Sequence, residues 1–225
     1  IACFSSKFSK EFNCFLIKLR PRSFKRTRKP SCVIQMHNIN IPLSVPERLP
    51  VNPLLPSPKE TGWTKRSIDR LGERAAKALG CDPGADLIAI VKSLGGKVIF
   101  GPVDRTGSTG FLEVSKASDV KFTIALSPYP GHYRNRFTIA HELGHYFLHS
   151  KTGGQELYAT RQAGSRVEWE ANWFAAAFLM PSESFVTEWN QSGGSIGHLI
   201  DRFQVSGGAI EIRRDTLREF GLSLV

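Results

Sequence analysis

Residues 136–149 read "RFTIAHELGHYFLH", with His141 and His145 four positions apart and Glu142 directly after the first histidine. On a helix, positions i and i+4 lie on one face about one turn apart, so two imidazoles can address a single cation. This is the HExxH pattern: the histidines are metal ligands, and the glutamate stands beside the ion to take a proton from the attacking water. The cation's part is to lower the pKa of that water towards neutrality and so supply a nucleophile. One zinc ion suits imidazole and carboxylate donors, although the residues alone leave manganese or another ion open. The competing reading is a buried helix with incidental histidines. The apolar flanks "FTIA" and "YFL" suit either, because a helix that holds ligands rigidly is itself buried. A third ligand decides between them.

His149 is a poor third ligand. It lies eight residues after His141, about 12 Å along a straight helix at 1.5 Å per residue. The longer zinc-protease pattern, with Gly and then His three residues later, is also absent, because Leu148 and Lys151 occupy those positions. His149 is therefore read as structural. The segment "SRVEWEANWFAAAFLMP" offers more, since Glu168, Asn172, Ala175 and Leu179 share one helical face. If that face meets the HExxH helix, Glu168 points at the ion. Asn172, one turn on, can then hold a ligand histidine by hydrogen bond. Glu170 sits about 200° around the same helix and is either solvated or supports a neighbour. Helical phase favours Glu168 and keeps Glu170 as the alternative. The group that would stabilise a developing oxyanion is not defined by pattern; His132 and Tyr133 are the nearest candidates.

Other elements must position these side chains. "TKRSIDRLGERAAKAL" places Ile68, Leu71, Ala75, Ala78 and Leu79 on one stripe, ended by Gly80, and "DPGADLIAIVKSLGG" reads as a second, shorter helix. Strand-like runs follow at 97–100, 109–115 and 120–127, separated by turn residues that suggest antiparallel connections. "YPGHYRN" reads as a turn into the histidine helix. The run at 120–127, taken as an edge strand, would offer backbone groups to an extended peptide beside the ion. From Arg136 the period is helical, with helices expected at 135–150, 165–179, 182–190, 195–203 and 206–220. The class is α+β: a small antiparallel sheet packed with the HExxH helical domain, and a short C-terminal helical region.

The net charge of +10 suggests a nucleic-acid partner until it is located. Residues 1–35 hold nine Lys/Arg and one acid, Glu11, whereas the remainder carries 21 basic and 19 acidic residues. The basic balance therefore belongs to the leader. Its apolar run "FNCFLI" is too short to span a membrane, so no membrane partner is expected. Its Arg, Ser and Phe resemble an organellar transit peptide, but the plainer reading is upstream sequence translated in frame, with the working protein starting at or after Met36. Three of the four cysteines lie there; only Cys81 remains in the body, which fits a reducing cytoplasm without disulfides. Six prolines between 42 and 58 mark a linker, giving expected units of 1–60, 61–191 and 192–225.

The last unit, "IGHLIDRFQVSGGAIEIRR", has helix-turn-helix rhythm, which makes a DNA-binding regulator the main rival. Its second helix opens on "GGAIEI", poor in base-reading side chains, so packing against the other helices is expected and direct nucleic-acid binding is not. A repressor-sequestering regulator built on a non-catalytic HExxH scaffold is a further alternative.

Taken in order, "RFTIAHELGHYFLH", "VEWEANWFAAAFLMP" and "FQVSGGAIEIRRDTLREFGL", with "DLIAIVKSLGGKV" and "TGFLEV" upstream, resemble the ImmA/IrrE family of metallopeptidases over about residues 65–221. The resemblance implies a cytoplasmic, zinc-dependent, gluzincin-like domain followed by a small helical region. It assigns His141, His145 and Glu168 as ligands and Glu142 as base. Family members come from bacteria, phages or mobile elements, and those studied cleave a helix-turn-helix repressor to release a stress or mobile-element programme. The implied partner is thus a protein substrate of that kind. The basic leader and the Pro-rich stretch depart from the family pattern.

Overall fold

The computed structural model describes residues 55–101, 110–128, 131–160 and 164–224. The leader and most of the Pro-rich stretch, with the expectations placed on them, lie outside the described residues. Helix α1 (Lys65–Leu79) buries Ile68, Gly72 and Ala76. The Thr64 side chain accepts the Ser67 amide at its start, and Gly80 ends it in the left-handed conformation at φ 62°. In α2 (Leu87–Ser93) the Asp86 carboxylate accepts the amides of Ile88 and Ala89. Next come strands β1 (Gly96–Phe100), β2 (Gly110–Val114) and β3 (Phe122–Leu126), then α3 (His132–Gly144). A π-helical turn, His145–His149, continues α3 and is followed by β4 (Leu157–Thr160). Helices α4 (Arg166–Leu179), α5 (Ser182–Gln191), α6 (Ile196–Phe203) and α7 (Gly207–Glu219) complete the fold.

The α+β class is as expected, but the sheet is mixed rather than wholly antiparallel. Its order is β1-β3-β2-β4. β2 pairs antiparallel with β3 and β4, whereas β1 runs parallel to β3. A hairpin loop spans about two to five residues. The stretch between β1 and β2 in sequence is longer, and in the sheet these two strands lie on either side of β3. The edge-strand expectation fails for the same reason: β3 is paired on both sides, and the edges are β1 and β4. The outer side of β4 receives the proline stretch at one point, where the Tyr158 amide donates to the Pro56 carbonyl at 3.0 Å. Helix α3 begins within "YPGHYRN", so part of that expected turn is helical.

Helix α4 lies between α1 and α3 and packs on both. Its alanines allow backbone-close contact. A Cβ at Gly72 of α1 would lie 2.8 Å from the Phe174 carbonyl oxygen, and one at Gly144 of α3 would lie 3.0 Å from that of Ala171. Stacked rings of Phe147, Phe174 and Phe178 fill the space beside these contacts. Helix α7 is fastened by Arg213, which is fully buried. Its guanidinium donates to the Met180 carbonyl at 2.8 Å, to Glu73 at 3.0 Å and to Asp69. Glu73 also accepts the Ser182 amide at 2.8 Å, so one ion cluster joins α1, α7 and the α4–α5 junction.

Removing one partner of a buried ion pair costs about 3–5 kcal/mol, because the other charge is left uncompensated. Arg213→Ala is therefore expected to lower the unfolding free energy by an amount of that order, read as a fall in the urea midpoint. Arg214→Ala, whose partner Asp215 is on the surface, leaves the midpoint unchanged.

Candidate metal centre

The centre forms where α3 meets the first turn of α4. His141, Glu142 and His145 are each 1 % exposed, because the face of α3 that carries them is pressed between α4 and the sheet. Ser165 caps α4 by accepting the Glu168 amide at 3.3 Å. This fixes the Glu168 carboxylate in a helical first turn, where the backbone dipole favours negative charge. Its two oxygens lie 3.2 Å from His141 Nε2 and 3.3 Å from His145 Nε2. The two Nε2 atoms are 3.1 Å apart.

The outer hydrogen bonds define which nitrogens face inward. The Asn172 Oδ1 lies 2.9 Å from His141 Nδ1 and accepts its proton, leaving a lone pair on His141 Nε2. On His145, Nδ1 lies 3.0 Å from His149 Nδ1, and Nε2 of His149 lies 3.2 Å from a Glu170 carboxylate oxygen. A carboxylate only accepts, so His149 carries its proton on Nε2 and accepts at Nδ1. His145 therefore donates from Nδ1 and also turns a lone pair inward. Two imidazole lone pairs and a carboxylate converge on one point, which is the complement of a cation. Zinc ligands at about 2.0–2.1 Å in a tetrahedral site are about 3.3 Å from one another, the separation found here. Among the described residues, His141, His145 and Glu168 form the one His/Cys/Asp/Glu group compact enough to hold an ion.

Glu142 faces the start of β2. A Cβ at Gly110 would lie 3.5 Å from its Oε1 and 2.7 Å from Thr138 Cγ2, so α3 can approach the strand only over glycine. Glu170 is fully buried rather than solvated, and it supports a neighbour: it accepts from His149, from the Thr61 amide at 2.9 Å and from Arg166 Nε at 3.2 Å. Burial and the adjacent His145 push the His149 imidazolium down to about 4. His132 and Tyr133 are at the opposite end of α3, about 13 Å from His141 at 1.5 Å per residue, and His132 bonds Gln204 instead.

Two helices with a His/His/Glu centre beside a small sheet make this an α+β domain of metallopeptidase type. The chain belongs to the family described as the IrrE N-terminal-like domain, peptidase M78, whose model matches residues 91–214. No protein of curated function matches it. A solved structure, a Mycobacterium tuberculosis transcriptional regulator, is similar at 20 % identity and a TM-score of 0.47. That likeness covers 64 % of this chain and 45 % of the regulator. No helix among the described residues is long and apolar enough to cross a membrane.

Glu168→Ala is expected to strip the ion. Its loss of zinc affinity should exceed the roughly 10–100-fold typical of an outer hydrogen-bond partner. Elemental analysis after gel filtration checks this: one zinc per wild-type chain against almost none in the variant.

Proposed function

We propose that this chain is a zinc-dependent endopeptidase acting in the cytoplasm on a protein, namely a helix-turn-helix repressor. The observation that supports it best is the inward convergence of His141 Nε2, His145 Nε2 and the Glu168 carboxylate, with Glu142 next in sequence on the same helix. His141, His145 and Glu168 would hold one zinc. When bound, the ion supplies Lewis acidity, polarising the scissile carbonyl and acidifying the attacking water.

The protein's own groups do the rest. Glu142 is the general base: its carboxylate takes the proton from water as the carbonyl carbon is attacked, then returns a proton to the departing amine. Asn172 keeps the His141 ring in the ligand tautomer. The ligand side chains are themselves almost wholly buried, so that charges there act in a low dielectric. The repressor as substrate follows from the family resemblance.

The DNA-binding reading finds little at α7. Arg213 is consumed in the core and Arg214 pairs with Asp215. The exposed start of this helix offers Gly208, Glu211 and Ile212 and no cation to grip phosphate, and the exposed Arg218 is in its last turn, over the Trp189 ring.

Coexpression with helix-turn-helix repressors encoded near its gene tests the proposal. Repressor fragments should appear with wild type and vanish with His141→Ala. Glu142→Gln should keep one zinc while cleavage slows by about 10²–10⁴-fold, the usual contribution of a positioned base. Operator release with an intact repressor would instead establish sequestration.

A further inference from the structure

We propose that His149 and Glu170 are positioning residues for the ligand His145, acting as a two-step relay that holds its Nδ1 proton and aims its Nε2 at the ion. The inference rests on the zinc reading above and deepens it. The two ligand histidines are supported differently. His141 is held directly by an amide oxygen, at 2.9 Å from Asn172. His145 instead meets a second imidazole, His149, and only beyond it a carboxylate, Glu170.

The π turn makes this possible. The Ser150 amide bonds the His145 carbonyl at 3.0 Å, an i→i+5 closure that widens the helix where it passes the centre. Across that turn the rings of His145 and His149 meet at a tilt, with centroids 4.9 Å apart and planes inclined at 44°. Nδ1 meets Nδ1 as a result, and His149 Nε2 points away from the ion towards α4. His149 is too far along the chain to share the ion, and it is well placed to hold a residue that does.

Glu170 is the fixed end. It can terminate the relay only as an acceptor, and its remaining capacity is filled by donors that hold it still. The Thr61 amide takes the same oxygen as His149, and Arg166 Nε takes the other. Arg166 also donates to the Trp63 carbonyl at 2.6 Å, so the segment leading into α1 lashes the anchor in place. Every proton in the chain then has one position: Nδ1 of His145 and Nε2 of His149. A merely structural histidine would not need its acceptor nitrogen turned to a metal ligand.

The test compares His149→Leu with His149→Asn in the full chain. The two replacements are nearly equal in size, but the Asn Oδ1 stands where the imidazole Nδ1 stood and can accept from His145. Zinc affinity is measured by competition with a chromophoric chelator, and site geometry by visible absorption of the cobalt-substituted protein. His149→Leu and Glu170→Gln should each weaken zinc binding by about 10–100-fold and alter the cobalt bands. His149→Asn should recover most of the loss. Affinity within twofold of wild type in His149→Leu, or no recovery in His149→Asn, overturns the proposal. If the variants do not fold, nitrogen NMR of histidine-labelled, zinc-loaded wild type decides: a proton on His149 Nε2 supports the relay, and one on Nδ1 overturns it. None of these readouts is catalysis. Retention of zinc by His141→Ala would instead count against the metal reading itself.

Discussion

Backbone contact between α3 and α4 sets the dimensions of the whole centre. Gly144 lies one position before His145, and Ala171 lies three after Glu168; these two positions are where the helices touch. Any side chain at Gly144 would press on the Ala171 carbonyl and Cα and widen the gap by a few tenths of an ångström or more. The ligand atoms are spaced at 3.1–3.3 Å, and a cation is sensitive to shifts of that size. The same economy recurs on the opposite side of α4, where Gly72 admits α1 against Phe174 and Ala177. Ala171 and Ala177 are thus the points at which α3 and α1 come close to α4, and their small side chains matter for what they leave out.

Close packing of this kind buries charge, and the protein handles it in three ways. Asp69 meets a guanidinium inside the core. Glu170 is held by an amide, an arginine and an imidazole. Glu168 is faced by two imidazoles whose protons are committed elsewhere. The first two carboxylates are satisfied by donors, whereas the last faces nitrogens that are themselves acceptors and is complemented only by a cation. That difference in local chemistry, rather than burial alone, separates a binding centre from structural ion pairs.

Local periodicity accounts for what can be read from the chain. The spacing of His141 and His145, and the phase of Glu168 and Asn172, survive folding because a helix fixes angles between near neighbours. Helix ends are legible in part: Gly80 stops α1 as its residue type suggests, whereas α2 starts at Leu87 behind Asp86 rather than at the opening of "DPGADL". Pairing across the sheet is not legible. Whether β1 joins β2 or β3 depends on contacts remote in sequence, and "LYAT" is too short for its alternation to stand out from the glycine-rich turn before it. The partnership of His149 with Glu170 is intermediate. The i,i+4 spacing from His145 to His149 gave one half of it, whereas the π turn that brings the nitrogens together has no marker in residue type.

The buried guanidinium of α7 has a consequence for the order of events during synthesis. Its carboxylate partner on α1 lies 144 positions earlier in the chain. Asp69 and Glu73 thus leave the ribosome long before Arg213 exists to neutralise them, and they must remain hydrated until it arrives. Closing so long a loop carries an entropic cost that is recovered only when the ion cluster and the surrounding apolar faces dock together. Packing of α1 on α4 through Gly72 does not itself need α7, but Asp69 gains its buried partner only once α7 has been made.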